Sequence, residues 1–130
     1  SVSGATRGLS VLVRRPRLMC ITASDTLASF PPPRWCALGA MGELGDASEA
    51  LHADIGRYAA ELGIDELLTL GDAARSASEA FGRGLHFNDH EALMRHVTNT
   101  LPPDTTLLVK GSRSASMEHV VNALRSDEIR

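Results

Sequence analysis

The stretch LLVKGSRSASMEHVV, residues 107–121, changes its hydrophobic period in the middle. Leu107, Leu108 and Val109 form an unbroken apolar run, the pattern of a strand covered on both faces. Met117, Val120, Val121 and Leu124 then recur at helical spacing. Between the two patterns stand Lys110, Gly111, Ser112 and Arg113. A buried strand that passes through a glycine turn into an amphipathic helix is half of a β-α-β unit. The same turn combines two cations, a hydroxyl and the free amides of a helix start, a chemistry suited to an anion.

The same alternation recurs along the rest of the chain. LSVLV (9–13), RWCALG (34–39), DELLTLG (65–71), LHF (85–87) and DTTLLVK (104–110) read as strands. ASEALHADIGRYAAELG (47–63) reads as a helix with Leu51, Ile55, Ala59 and Leu62 on one face. Asp46 and Glu49 would form its capping box, and Gly63 would end it. A second helix spans 72–82, with Asp72 as cap and Gly82 as stop. A third follows Asn88 and Glu91, a further capping-box pair, and aligns Leu93, Val97 and Leu101. The last helix covers 115–125. Strands alternating with helices predict an α/β fold: a doubly wound, mostly parallel sheet with helices on both faces.

The 130 residues are enough for one domain with its own core. A 43% hydrophobic and 22% charged composition is ordinary for a globular protein. No apolar run approaches the roughly 20 residues of a membrane span, and residues 1–17 do not have the pattern of a secretory signal. Cys20 and Cys36 are too few for a disulfide scaffold and are read as buried thiols. Residues 1–35 carry five arginines against Asp25, while the remainder is acidic, giving an overall net charge of −3. The basic end lacks a recognisable nucleic-acid motif, so neither nucleic acid nor membrane is expected as a partner.

In an open parallel sheet, ligands bind beyond the carboxyl ends of the strands. Three segments belong there: GAMGELG (39–45), GD (71–72) and KGSR (110–113). Lys110 and Arg113 would supply charge, and arginine can grip a carboxylate or phosphate with two parallel bonds. The competing reading makes them solvated surface cations beside a helix-capping Ser112 or Ser114. Glu43 could meet an ammonium group or simply lie exposed on its loop. Asp72 suits a helix cap better than a catalytic acid. His52, His86, His90, His96 and His119 are scattered without metal-ligand spacing, so no metal site is expected. For His52 a surface or packing role is expected rather than a catalytic one. No catalytic triad can be assembled. A phosphoacceptor receiver domain would need acids after its first strand, where Arg14-Arg15-Pro16 stand instead.

LGAMGELG (38–45), the helix and strand of 49–71, AFG with HF (80–87) and LLVKGSRSASMEHVVNAL (107–124) together resemble the C-terminal domain of the Mur ligases. Among these, the resemblance is nearest to the branch that adds D-alanyl-D-alanine to UDP-N-acetylmuramoyl-tripeptide. It implies a Rossmann-like domain over residues 25–130 and a part in ATP-dependent peptide-bond formation during cytoplasmic peptidoglycan synthesis. In such enzymes a central domain holds ATP and Mg²⁺, and the C-terminal domain closes over it. These 130 residues contain no GxxxxGK[ST] loop. The chain alone is therefore expected to bind no cofactor, to be catalytically inactive and to be monomeric. The strand-to-helix turn and the resemblance together point to Lys110, Gly111, Ser112 and Arg113 as the surface for the dipeptide carboxylate, with Glu43 and its loop lining the same cleft, and no catalytic residue is assigned. A stand-alone anion-binding module is the alternative. Residues 1–24 depart from the family: VLVRRPRLMC (11–20) replaces an acidic, asparagine-containing stretch, and Ala40 stands where Asp is common. They are read as an atypical N-terminal segment, disordered or frame-altered, which leaves the nucleotide-binding residues unassigned.

Overall fold

A computed structural model describes residues 9–14, 17–19, 31–40, 48–102, 104–111 and 117–122. Its strands are β1 (Leu9–Arg14), β2 (Arg17–Met19), β3 (Arg34–Gly39), β4 (Glu66–Leu70), β5 (Leu85–Phe87) and β6 (Thr106–Gly111). Its helices are α1 (Ser48–Glu61), α2 (Arg75–Phe81) and α3 (His90–Thr100), with residues 118–122 also helical. A 3₁₀ turn, Asp72–Ala74, leads into α2.

The six strands form one sheet in the order β2-β1-β6-β3-β4-β5. β6, β3, β4 and β5 are parallel, whereas β1 runs antiparallel to both β6 and β2. The mostly parallel, doubly wound sheet is thus as expected, but strict β-α alternation is not kept at the start. β1 pairs in hairpin register with β2, Val13 opposite Leu18 and Arg14 opposite Arg17.

Both faces of β3, β4 and β6 are covered, as their apolar runs require. Trp35, Ala37, Leu68, Leu70, Leu107 and Val109 pack against Leu93 and Val97 of α3 and against Met117, Val120 and Val121. Their neighbours Cys36, Leu38, Leu67 and Leu108 face the other way, onto Ala59 of α1 and Ala77 and Phe81 of α2. The period-2 alternation of a strand sorts these residues into two cores.

Several local expectations change. α1 buries His52, Gly56 and Ala59, while Leu51 is exposed. The buried stripe is therefore rotated from the one that hydrophobicity alone selects. The reason is the close approach of α2: a Cβ on Gly56 would lie 2.1 Å from the Ala77 carbonyl oxygen. Asp72 caps no helix, since the 3₁₀ turn begins without a side-chain cap and α2 follows from Ala74. Asp89, not Asn88, caps α3, its carboxylate accepting the Ala92 amide at 2.8 Å. Asp46 lies outside the described residues. Gly82 ends α2 as expected, at φ 93°.

Candidate functional site

From β3 the chain steps outward to β4 and then β5, and α3 carries it back to β6 on the other side of β3. The strand order therefore reverses between β3 and β6, the switch point at which open α/β sheets leave a crevice for ligands. The two loops singled out in the sequence leave from these two strands. Leu38, at the head of GAMGELG, is the register partner of Lys110, at the head of KGSR.

Of the five candidate residues, two are described. Lys110 is the penultimate residue of β6 and half-buried; Gly111 is the last and buried, opposite Leu9 of β1. Ser112, Arg113 and Glu43 lie outside the described residues, as does Ser114. Lys110 is on the α1 side of the sheet. It lines a small apolar groove of about 90 Å³ with Cys36, Leu108, Ile55, Tyr58, Ala59, Leu62 and Ile64. In this setting the aliphatic stem of a lysine can cover apolar surface while its ammonium reaches the rim.

The groove also governs Cys36. Burial pushes its thiol up to about 12, against a smaller downward pull from the Lys110 ammonium. A thiol held protonated by folding contributes its full stability below the unfolded value and loses it as pH rises towards the folded one. The rise from 9.0 to about 12 leaves roughly a thousandth of the thiolate. In a Cys20→Ser chain, labelling at pH 8 should therefore be at least about a hundredfold slower in the folded state than in urea. Labelling at the unfolded rate would contradict the burial.

The third carboxyl-end segment meets the first at Ala40. Gly71, at φ 95°, turns the chain after β4, and its amide donates to Phe87 O at 3.3 Å. A Cβ here would sit 3.3 Å from the Ala40 Cβ, so a side chain would be both strained and crowded. Ala40 N donates to Leu70 O at 3.1 Å, which extends the β3–β4 ladder to the lip of the sheet. Asp72 points into solvent, 3.8 Å from Arg75, too exposed to act as a catalytic acid.

The histidines have mainly structural surroundings. His52 is fully buried, and its Nδ1 donates to Ser48 O at 2.6 Å. Packing rather than surface is thus its place. His86 Nδ1 lies 2.8 Å from the buried Thr69 hydroxyl. Burial lowers the His86 pKa below its ordinary value, and Arg75 adds to that, while Asp72 and Glu79 oppose it. His96 Nε2 bonds Glu66 Oε1 at 2.6 Å and stacks on Trp35, a strut between α3 and β4 invisible to helical periodicity. Among the described residues no three His, Cys, Asp or Glu side chains converge to hold a metal ion, and no helix is long and apolar enough to cross a membrane.

Comparison with known proteins agrees with this geometry. Residues 20–113 match the family described as Mur ligase, glutamate ligase domain. The UDP-N-acetylmuramoyl-tripeptide–D-alanyl-D-alanine ligase of Escherichia coli is 42% identical over 107 residues, covering 81% of this chain and 24% of that enzyme. The ligase of the same name from a Buchnera aphidicola strain is 34% identical over 106 residues, covering 80% and 23%. A crystal structure of MurF from Acinetobacter baumannii superposes with a TM-score of 0.66 at 30% identity, over 77% of this chain and 24% of that one. MurF from Thermotoga maritima, solved in complex with ADP, superposes at 0.68 and 21% identity, over 80% and 24%, and supports the fold. The chain spans about a quarter of the length of these relatives. With the sheet, its switch point and the match over most of its length agreeing, the chain belongs to the Mur ligase family and corresponds to that family's C-terminal domain.

Proposed function

We propose that this domain forms the acceptor side of an ATP-dependent ligase that joins D-alanyl-D-alanine to UDP-N-acetylmuramoyl-tripeptide in the cytoplasm. The observation that carries the reading is the switch point between β3 and β6, where Leu38 and Lys110 pair at the mouths of the two candidate loops. Lys110 and Arg113 supply positive charge for the carboxylate of the incoming dipeptide. Gly111 and Ser112 supply close backbone approach and a hydroxyl, and Glu43 faces the ammonium end. The role of the domain is to bind and orient; activation of the other substrate needs a phosphate cradle that these 130 residues do not contain. ATP and Mg²⁺ therefore belong to a central domain, and the isolated 130 residues bind neither and form no peptide bond. The ligase domain proper takes in 25–130, and within the atypical segment 1–24 the strands β1 and β2 join its sheet, β1 alongside β6.

The test is a chimaera in which the whole chain, β1 and β2 included, replaces the corresponding part of the Escherichia coli relative. Lys110→Ala and Arg113→Ala should each raise KM for D-alanyl-D-alanine at least about tenfold, with a smaller change in kcat. This follows from losing one charge-assisted contact of about 1.5–3 kcal/mol. Unchanged dipeptide kinetics would sink the assignment of these two cations.

A further inference from the structure

β5 (Leu85–Phe87) is the last strand of the sheet, so among the described residues no strand pairs its outer edge. The Phe87 carbonyl faces inward, where it accepts the Gly71 amide. Successive residues of a strand aim their N–H and C=O groups at opposite edges, so those of His86 point outward, where a further strand can bond them. Asp89 is still extended, at φ −146° and ψ 159°, which carries the edge on beyond Phe87. Leu85 pairs in register with Leu68, whose side chain packs on the α3 side of the sheet. On that side Leu85 is one of the few large apolar residues left exposed, at 39%.

The sequence along this edge, RGLHFND (83–89), is complementary to itself when a second copy lies antiparallel with the two-fold axis at His86. The two His86 residues then exchange both N–H···O bonds, and on either side Gly84 bonds Asn88 of the other copy. Leu85 comes opposite Phe87, a non-hydrogen-bonded pair whose side chains lie closest. Arg83 comes opposite Asp89, both exposed and of opposite charge. Asp89 gives one carboxylate oxygen to the Ala92 amide, which leaves the second for the guanidinium. Moving the axis to Leu85 or Phe87 would instead set Arg83 against Phe87 or Asp89 against Leu85, a charge against an apolar side chain. We propose that β5 is a self-association edge, through which two copies of this chain join their sheets across a two-fold axis at His86. The crevice between β3 and β6 lies inward of β4 and stays open in such a pair. The monomer expected from the sequence would then exchange with a dimer.

The contact is short, at the small end of protein interfaces below about 1,200 Å², so association should be weak and concentration-dependent. In sedimentation of the full chain, the mean mass should rise from monomer towards dimer as the concentration approaches about 1 mM. Leu85→Lys, at an exposed position, puts a cation on the edge; it should abolish the rise and leave the Tm of the dilute chain unchanged. Arg83→Glu sets two carboxylates together at each end and should weaken association about tenfold. In a Cys20→Ser chain, His86→Cys should give a disulfide-linked dimer on oxidation, because position 86 alone faces itself, whereas Leu85→Cys should give little. A mass that stays monomeric at about 1 mM overturns the proposal. Association that Leu85→Lys leaves intact, or trapping at position 85 rather than 86, overturns it as well.

Discussion

Gly56→Ala is expected to destabilise the domain by about 1–3 kcal/mol, although alanine is the better helix former. In an open helix the substitution would gain up to about 1 kcal/mol from the backbone. Here the new Cβ would lie 2.1 Å from the Ala77 carbonyl oxygen and 2.9 Å from its carbon. Both are backbone atoms, so no rotamer change relieves the clash; α1 and α2 must move apart. That separation would loosen the core formed by Ala59, Ala77 and Phe81. Urea unfolding of the two chains measures the difference. Because the obstacle is backbone, Ala77→Gly should not rescue the variant. A Gly56→Ala chain as stable as the parent would show that the helices are not in this close contact.

Trp35→Ala should cost more, about 3–5 kcal/mol, the range for removing a large buried aromatic side chain. Trp35 is 4% exposed, lies in the second position of β3 and belongs to the core shared with α3. Its ring stacks on His96 at 5.9 Å, and His96 in turn bonds Glu66. The substitution therefore opens a cavity and frees the strut between α3 and β4 as well. Far-UV circular dichroism through a thermal melt gives the readout, since the only tryptophan is lost. Trp35→Phe, which keeps most of the apolar volume, should recover more than half of the loss. A cost below about 1 kcal/mol for the alanine variant would mean that this part of the core is not closed.

The type and order of most elements could be read from the chain because they rest on local rules. RWCALG, LHF and the run before Lys110 are short and apolar, with punctuation on either side. They became β3, β5 and most of β6. Gly63 and Gly82, at φ 78° and 93°, end their helices because a residue without a side chain tolerates those angles. Capping was less legible. Asp89 rather than Asn88 receives the Ala92 amide, and the two differ by a single position that only backbone geometry distinguishes.

Features that depend on a neighbouring element escaped the sequence. Hydrophobicity placed Leu51 on the inner stripe of α1, yet the helix turns His52 and Gly56 inward, because Gly56 is where α2 comes closest. The antiparallel pairing of β1 with β6 could not be foreseen either: an apolar pentapeptide does not state its direction in a sheet.

For the candidate site, the division follows the same line. The residue types were legible: a lysine, a glycine, a serine and an arginine at a strand-to-helix turn, and a glycine-rich loop with a glutamate. Their family resemblance was legible as well. By itself the sequence determined the fold class, because a buried strand and an amphipathic helix have different periods that composition cannot hide. Only the tertiary structure decided that the two strands leading into these loops lie side by side. That requires knowing that β6 returns to lie beside β3 on the side away from β4, and strand order is set by long-range packing rather than by any local run of residues.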